Sequence, residues 1–341
     1  MSPKPNREDL SWTFLETMMK IRRFEECVGE LGAEKAFPGH YHLYIGQEAT
    51  GAGAMAALGA QDKIATTHRN HGHIIARGTE PVAALAEILG RETGLNRGRG
   101  GTIHLCDPER GFLQTSGIVG SIVGIAVGGG YACKQLGNGA VTAAFFGDGA
   151  LEEGLPFESM NIAALWKLPV VFICENNSKD AWGAANGGFP TLVHASDDLR
   201  SIPGSMGIQA MRVDGSDPFA VHDAVKVGVE RCRSGEGPIF IEAMTRRWAG
   251  SAPLWPELAT GITDIGMATG KRDVPAGKHH DWYAKHDPLL ALVRQLATEP
   301  TAVSRIEALD DAIRHAMQDA RRQALSGPYP APETATDYIF A

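Results

Sequence analysis

The chain has 341 residues and a formal net charge of −8, with 40 acidic residues against 32 Lys and Arg. That balance argues against a nucleic-acid surface, which needs clustered cations facing phosphate, and no run of about eighteen apolar residues offers a membrane span. The start MSPKPNRED is too polar for a signal peptide, and Cys27, Cys106, Cys133, Cys174 and Cys232 lack metal-ligand or CxxC spacing, so they read as reduced thiols of a cytoplasmic protein.

In chain order, Leu10 to Leu31 places apolar residues at helical spacing and predicts a long amphipathic helix. Residues 37 to 47 form a His- and Tyr-rich loop before an alanine-rich helix from Glu48 to Leu58. Ile64 to Thr66 reads as a strand that ends in a loop carrying His68, Arg69, His71 and His73. Residues 94 to 104 hold too many glycines for a regular element, and after Gly117 to Val119 comes a small-residue helix, Ile122 to Gln135. There, Gly128 to Gly130 would let another backbone pack closely.

Val141 to Phe146 reads as a buried strand, Leu151 to Trp166 as a helix and Val170 to Cys174 as a second buried strand, one βαβ unit. Residues 186 to 198 are loop. Gln209 to Val213 and Ile239 to Ala243 read as strands around a helix from Pro218 to Cys232. A long irregular stretch over 246 to 281 has the length of a binding loop, and Pro288 to Leu296 and Val303 to Leu325 are helical. The expected divisions are an N-terminal helical extension (1–35), an α/β domain (36–245), a loop region (246–285) and a helical tail (286–341).

The βαβ unit carries the strongest chemical signal. Gly147-Asp148-Gly149 follows its first strand, and Glu175-Asn176-Asn177 ends its second, 29 positions after Asp148. A right-handed crossover sets the two strands side by side, so Asp148 and Asn177 emerge together at carboxyl ends, where open α/β sheets bind ligands. A carboxylate and an amide carbonyl suit magnesium, which takes few protein oxygens and fills its octahedron with phosphate and water. Gly149 and a helix starting near Ala150 would let a diphosphate approach unpaired N–H groups.

Two other patterns carry less. Gly51-Ala52-Gly53-Ala54-Met55-Ala56 fits GxGxxA, but no buried strand precedes it, so close helix packing explains it better than a dinucleotide. The histidines of the two loops read individually as satisfied polar residues rather than metal ligands, although Arg69 beside His68 suits binding of an anion.

Seven ordered blocks, HLYIGQEA, THRNHGH, GRGGTIHL, GIVG, FFGDGA, FESMNIAALWKLPVVFICENN and GPIFIEAMT, together resemble the α subunit of heteromeric 2-oxo acid dehydrogenase E1 components over residues 10 to 245. THRNHGH, FFGDGA and FESMN look most like acetoin dehydrogenase α subunits, with pyruvate dehydrogenase α next. The resemblance implies a thiamine diphosphate-binding fold, a mostly parallel sheet flanked by helices with helical extensions at both ends. It also implies magnesium ligated by Asp148, Asn177 and the carbonyl of Lys179, and diphosphate contacts from Gly149 and Ala150. Gly117 and Val119 would hold the aminopyrimidine, His68 and Arg69 would line the cofactor channel, His42 would sit near the substrate, and Arg247 would belong to the catalytic set.

By the same resemblance, the cofactor ylid attacks a small 2-oxo acid or acetoin and the two-carbon unit reductively acylates a lipoyl arm. A β subunit would supply the glutamate that activates the pyrimidine, in an α2β2 heterotetramer, and a lipoyl-bearing E2 would be the acceptor. The chain departs from the family pattern where Ala249 and Ser251 replace loop histidines and where Glu152-Glu153 follows GDGA in place of Asn-Gln. The first departure keeps two alternatives open: a decarboxylase or carboligase subunit without a lipoyl partner, and a non-catalytic paralogue.

Overall fold

The computed structural model describes residues 6–178, 194–248, 263–277 and 279–337. Its centre is a six-stranded, all-parallel sheet with helices on both faces, the α/β architecture expected from the sequence. Helix α1 (Arg7–Ala33) starts on Asn6, whose side chain accepts from the Asp9 N–H, with Glu8 and Asp9 complementing the helix dipole. Helix α2 (Glu48–Ala57) leads to β1 (Lys63–Thr67), α3 (His71–Ala76) and α4 (Pro81–Ile88). Then follow β2 (Phe112–Ser116), α5 (Ser121–Leu136), β3 (Thr142–Gly147), α6 (Gly154–Leu165) and β4 (Val170–Asn176). β5 (Gln209–Asp214), α7 (Pro218–Arg233), β6 (Ile239–Met244), α8 (Pro288–Leu296) and α9 (Pro300–Ser326) complete the fold.

The strand order is β2-β1-β3-β4-β6-β5. β3 and β4 pair without interruption from Thr142 opposite Val170 to Gly147 opposite Glu175, so both release the chain at the same end of the sheet. Alternate residues of these strands enter opposite cores. Phe145 and Ile173 join the layer that holds α2 and α7, whereas Phe146, Phe172 and Cys174 meet α5 and α6. Each fully buried aromatic or aliphatic side chain contributes roughly 1.5–3 kcal/mol relative to exposure.

Several expectations need correction. His71 and His73 begin helix α3 instead of lying in a loop. β2 and α4 were not expected; β2 is only five residues long, with its second and third positions, Leu113 and Gln114, exposed, so it shows neither a continuous apolar run nor alternation. The helix expected from Leu151 begins three residues later, because a 3-10 turn occupies Asp148–Glu152; Pro156 then sits in the first turn of α6, where its missing N–H is not needed. Gly129 and Gly130 admit side chains rather than a backbone: a Cβ there would lie 2.4 Å from Leu113 Cδ1 and 2.4 Å from Val170 Cγ2. The GxGxxA run lies inside α2, and a Cβ on Gly53 would lie 2.4 Å from the Pro218 carbonyl at the start of α7, so helix packing accounts for it.

A buried ionic clamp joins α1 to the starts of α2 and α8. Arg22 Nε donates to Glu48 at 2.6 Å, and its two terminal nitrogens donate to Asp287 at 2.8 and 3.0 Å. Asp287 also caps α8 through the N–H groups of Leu289 and Leu290. The two carboxylates outweigh the burial of Arg22 and hold its pKa well above the ordinary value. All five cysteines are free, and burial pushes Cys27 and Cys232 up to about 12. Among the described residues, no helix is long and apolar enough to cross a membrane.

Candidate active site

Four parallel strands, β2, β1, β3 and β4, and the segment after β6 end at one cleft of about 450 Å³. Thr67, His68 and Arg69 come from the end of β1, and Ile118, Val119 and Gly120 from the turn after β2. Gly147 to Ala150 and Glu152 follow β3, Glu175, Asn177 and Ser178 come from β4, and Arg247 follows β6. The ladder thus brings Asp148 and Asn177 to one opening, as their spacing predicts.

Each group is held by a different part of the chain. Asp148 is 6% exposed, and its carbonyl accepts from His194 Nε2 at 3.2 Å. Asn177 donates through Nδ2 to Gln47 Oε1 at 3.3 Å, which leaves its amide oxygen as the end that can serve a ligand; Gln47 in turn donates to Thr245 Oγ1 at 3.1 Å. Glu175, at the back of the cleft, accepts a short hydrogen bond from the Tyr44 hydroxyl and lies 3.4 Å from His73 Nε2. Gly149 leaves its approach open: the nearest atom to a Cβ there would be Glu152 Oε1 at 3.8 Å.

The same cleft also holds cations. Arg69 is buried and donates to the Leu43 carbonyl; burial, and then its neighbour Arg247, bring its pKa down to about 9. Arg247 is also lowered by burial, against a raising influence from Asp148, and its Nε has no hydrogen-bond partner among the described residues. His42 and His68 pack edge to face, with ring centroids 4.6 Å apart. Burial and then Arg69 push His42 down to about 4 and His68 to about 3, so both rings are neutral near pH 7. One buried and one half-buried guanidinium beside neutral imidazoles suit a polyanion.

Not every expected residue lines this cleft. Gly117 is exposed and does not line it; a Cβ there would lie 3.2 Å from Ile103 Cδ1. Lys179, Ala249 and Ser251 lie outside the described residues. His71 and His73 are internal: His71 binds Glu25 at 2.9 Å and Thr102 Oγ1 at 2.9 Å, and His73 binds Thr66 Oγ1 at 2.8 Å and the Tyr44 hydroxyl at 3.1 Å. For these two the satisfied-polar reading holds. Gln47, Glu152 and Glu175 are additions. Each adjoins a motif already singled out, in GQEA, GDGALE and ENN, but their orientation toward the cleft has no sequence signal.

A family model described as "Dehydrogenase E1 component" matches residues 16–252. The chain belongs to the dehydrogenase E1 component family. The α subunit of the pyruvate dehydrogenase E1 component from Zymomonas mobilis is 36% identical over 329 residues, covering 96% of this chain and 87% of that protein. The α subunit of acetoin:2,6-dichlorophenolindophenol oxidoreductase is 40% identical in Bacillus subtilis, covering 70% of each chain, and 35% identical in Cupriavidus necator, covering 96% of this chain and 93% of that one. Both kinds of relative, pyruvate and acetoin α subunits, are thus similar to this chain. Among solved structures, a transketolase from Campylobacter jejuni superposes with a TM-score of 0.50 at 16% identity, covering 92% of this E1-family chain and 49% of the transketolase. That likeness concerns the fold.

Proposed function

We propose that this chain is the α subunit of an E1 enzyme that binds thiamine diphosphate with Mg2+ and, with a β subunit, acts on a small 2-oxo acid or acetoin. The observation that carries the reading is the meeting of Asp148 and Asn177, from adjacent strands, in a cleft that also holds Arg69 and Arg247. The donor set fits. One carboxylate and one amide oxygen match the sparse protein ligation that magnesium takes beside a diphosphate, and Arg247 Nε is a buried donor still open to an acceptor. Among the described residues no cluster of three or more His, Cys, Asp and Glu forms a metal site, in keeping with an ion shared with phosphate oxygens.

When bound, thiamine diphosphate supplies the nucleophilic carbon that attacks the substrate carbonyl. This chain's residues position and neutralise. Asp148 and Asn177 would hold the cation, with the Lys179 carbonyl as a third ligand; Gly149 and Ala150 would approach the diphosphate; Arg69 and Arg247 would offset its charge. His42 and His68, being neutral, can donate and accept hydrogen bonds near the reacting end without adding a cation. Val119 and Gly117 would meet the pyrimidine edge.

Exposed apolar residues beside the cleft, Ile118 and Val119 on the turn and Leu155 and Phe157 on α6, support a partner chain on this side. That partner would complete the cofactor site in an α2β2 assembly, with a lipoyl-bearing E2 as acceptor of the acyl group, in the cytoplasm.

Asp148→Ala tests the site. Calorimetric titration should show Mg2+-dependent thiamine diphosphate binding abolished in the α/β complex, with the unfolding temperature nearly unchanged. Wild-type cofactor affinity in the variant would overturn the assignment.

A further inference from the structure

An amide side chain carries an acceptor at one end and donors at the other, and only the acceptor end favours a cation. The end that Asn177 turns into the cleft therefore decides whether it helps an ion beside Asp148. That choice is made outside the cleft. Thr245, the first residue after β6, is buried and lines no part of the opening. Its Oγ1 donates to the Asn176 carbonyl at 3.2 Å, beside its own N–H, which donates to the same oxygen at 2.8 Å. A backbone carbonyl can only accept, so the hydroxyl proton is committed there and Thr245 Oγ1 can only accept from its next neighbour.

That neighbour is Gln47, fully buried, whose Nε2 donates to Thr245 Oγ1 at 3.1 Å. With its amino end fixed, Gln47 turns Oε1 toward Asn177 and accepts from Nδ2 at 3.3 Å. The reversed chain, with both amides turned over, takes the hydroxyl proton away from the Asn176 carbonyl and points an NH2 group at the ion. We propose that Thr245 and Gln47 are positioning residues of the cation site: anchored on the Asn176 carbonyl, they set the polarity of the Asn177 amide so that its oxygen faces the ion. A hydroxyl that touches no ligand thereby takes a share in metal affinity. The inference rests on the cofactor reading above.

Two substitutions at one position separate this role from packing. The Thr245 methyl meets Gly215, where a Cβ would lie 2.5 Å from Cγ2; Thr245→Val keeps the methyl and loses the hydroxyl, and Thr245→Ser does the reverse. The test uses the α/β complex with thiamine diphosphate and Mn2+ as the probe, free Mn2+ being read by electron paramagnetic resonance and assembly by light scattering. Thr245→Val and Gln47→Met should each weaken Mn2+ binding by about tenfold or more, while Thr245→Ser keeps most of the affinity. If Thr245→Ser loses as much as Thr245→Val, packing and not the hydroxyl is responsible and the inference fails. It fails equally if Thr245→Val or Gln47→Met assembles and binds Mn2+ like wild type while Asp148→Ala loses it, and the cofactor reading then stands. Should Thr245→Val not assemble, Gln47→Met decides by the same criterion. If Asp148→Ala also binds Mn2+ normally, the cofactor reading itself falls.

Discussion

Arg22 is fully buried and Arg247 half-buried with its Nε out of solvent, and their surroundings are opposite. Arg22 lies between Glu48 and Asp287, with its charge answered inside the fold and its pKa raised. Arg247 lies beside Arg69 and the two neutral histidines, with Nε unanswered among the described residues and its pKa lowered. Burial disfavours a cation in both places; only the first supplies hydrogen-bonded carboxylates from the chain itself, whereas at Arg247 the charge of Asp148 does not outweigh burial. A fold that buries positive charge without answering it is arranged for an anion from outside, so the difference separates a structural clamp from a binding wall.

The largest effect should come from breaking the clamp. Arg22→Met leaves Glu48 and Asp287 buried without their cation, and removing one partner of such a set costs about 3–5 kcal/mol. Urea unfolding of the purified chain should show this loss. Arg247→Met should leave stability nearly unchanged and weaken cofactor binding by about 2 kcal/mol, roughly thirtyfold, the usual worth of a charge-assisted hydrogen bond. Calorimetry on the α/β complex measures it. Equal stability losses in the two variants would erase the distinction drawn here.

A smaller effect concerns pH. His42 and His68 have folded-state pKa values of about 4 and about 3, below the unfolded value near 6.5. Between those values the unfolded chain binds more protons, so their contribution to stability is complete above about pH 6.5 and declines as pH falls toward 4 and 3. Unfolding temperature recorded from pH 7 to pH 4.5 should fall, and a His42→Gln, His68→Gln double variant should flatten that slope. An unchanged slope would mean that the rings are not held neutral by burial and their cationic neighbours.

Much of this was legible beforehand because it depended on local pattern. The apolar runs of β3 and β4 and the turn between Phe146 and Leu151 gave Asp148 and Asn177 their shared opening, since strand pairing and crossover handedness leave few alternatives. Partner identity was not legible. His68 and His73 lie five positions apart in one block, yet one faces Arg69 in the cleft and the other lies between Thr66 and Tyr44. Only the packing of α3 against the rest of the fold decides that. Glu152 was likewise visible only as an acidic residue at a presumed helix start, because its direction depends on the 3-10 turn that delays α6.

The ladder between β3 and β4 has a consequence for how this chain can change. The number 29 between Asp148 and Asn177 is not itself required by the geometry; α6 or the connection at residues 166–169 could lengthen while both strand ends stay opposite each other. A single residue inserted inside β3 or β4 has another outcome. It would advance one side chain by about 3.3 Å and turn it to the other face of the sheet, separating the two groups while leaving the motif intact to any reader of the sequence. The tolerance of this region to insertion is therefore sharply uneven, generous along the crossover and close to zero along the six paired positions that end at Gly147 and Glu175.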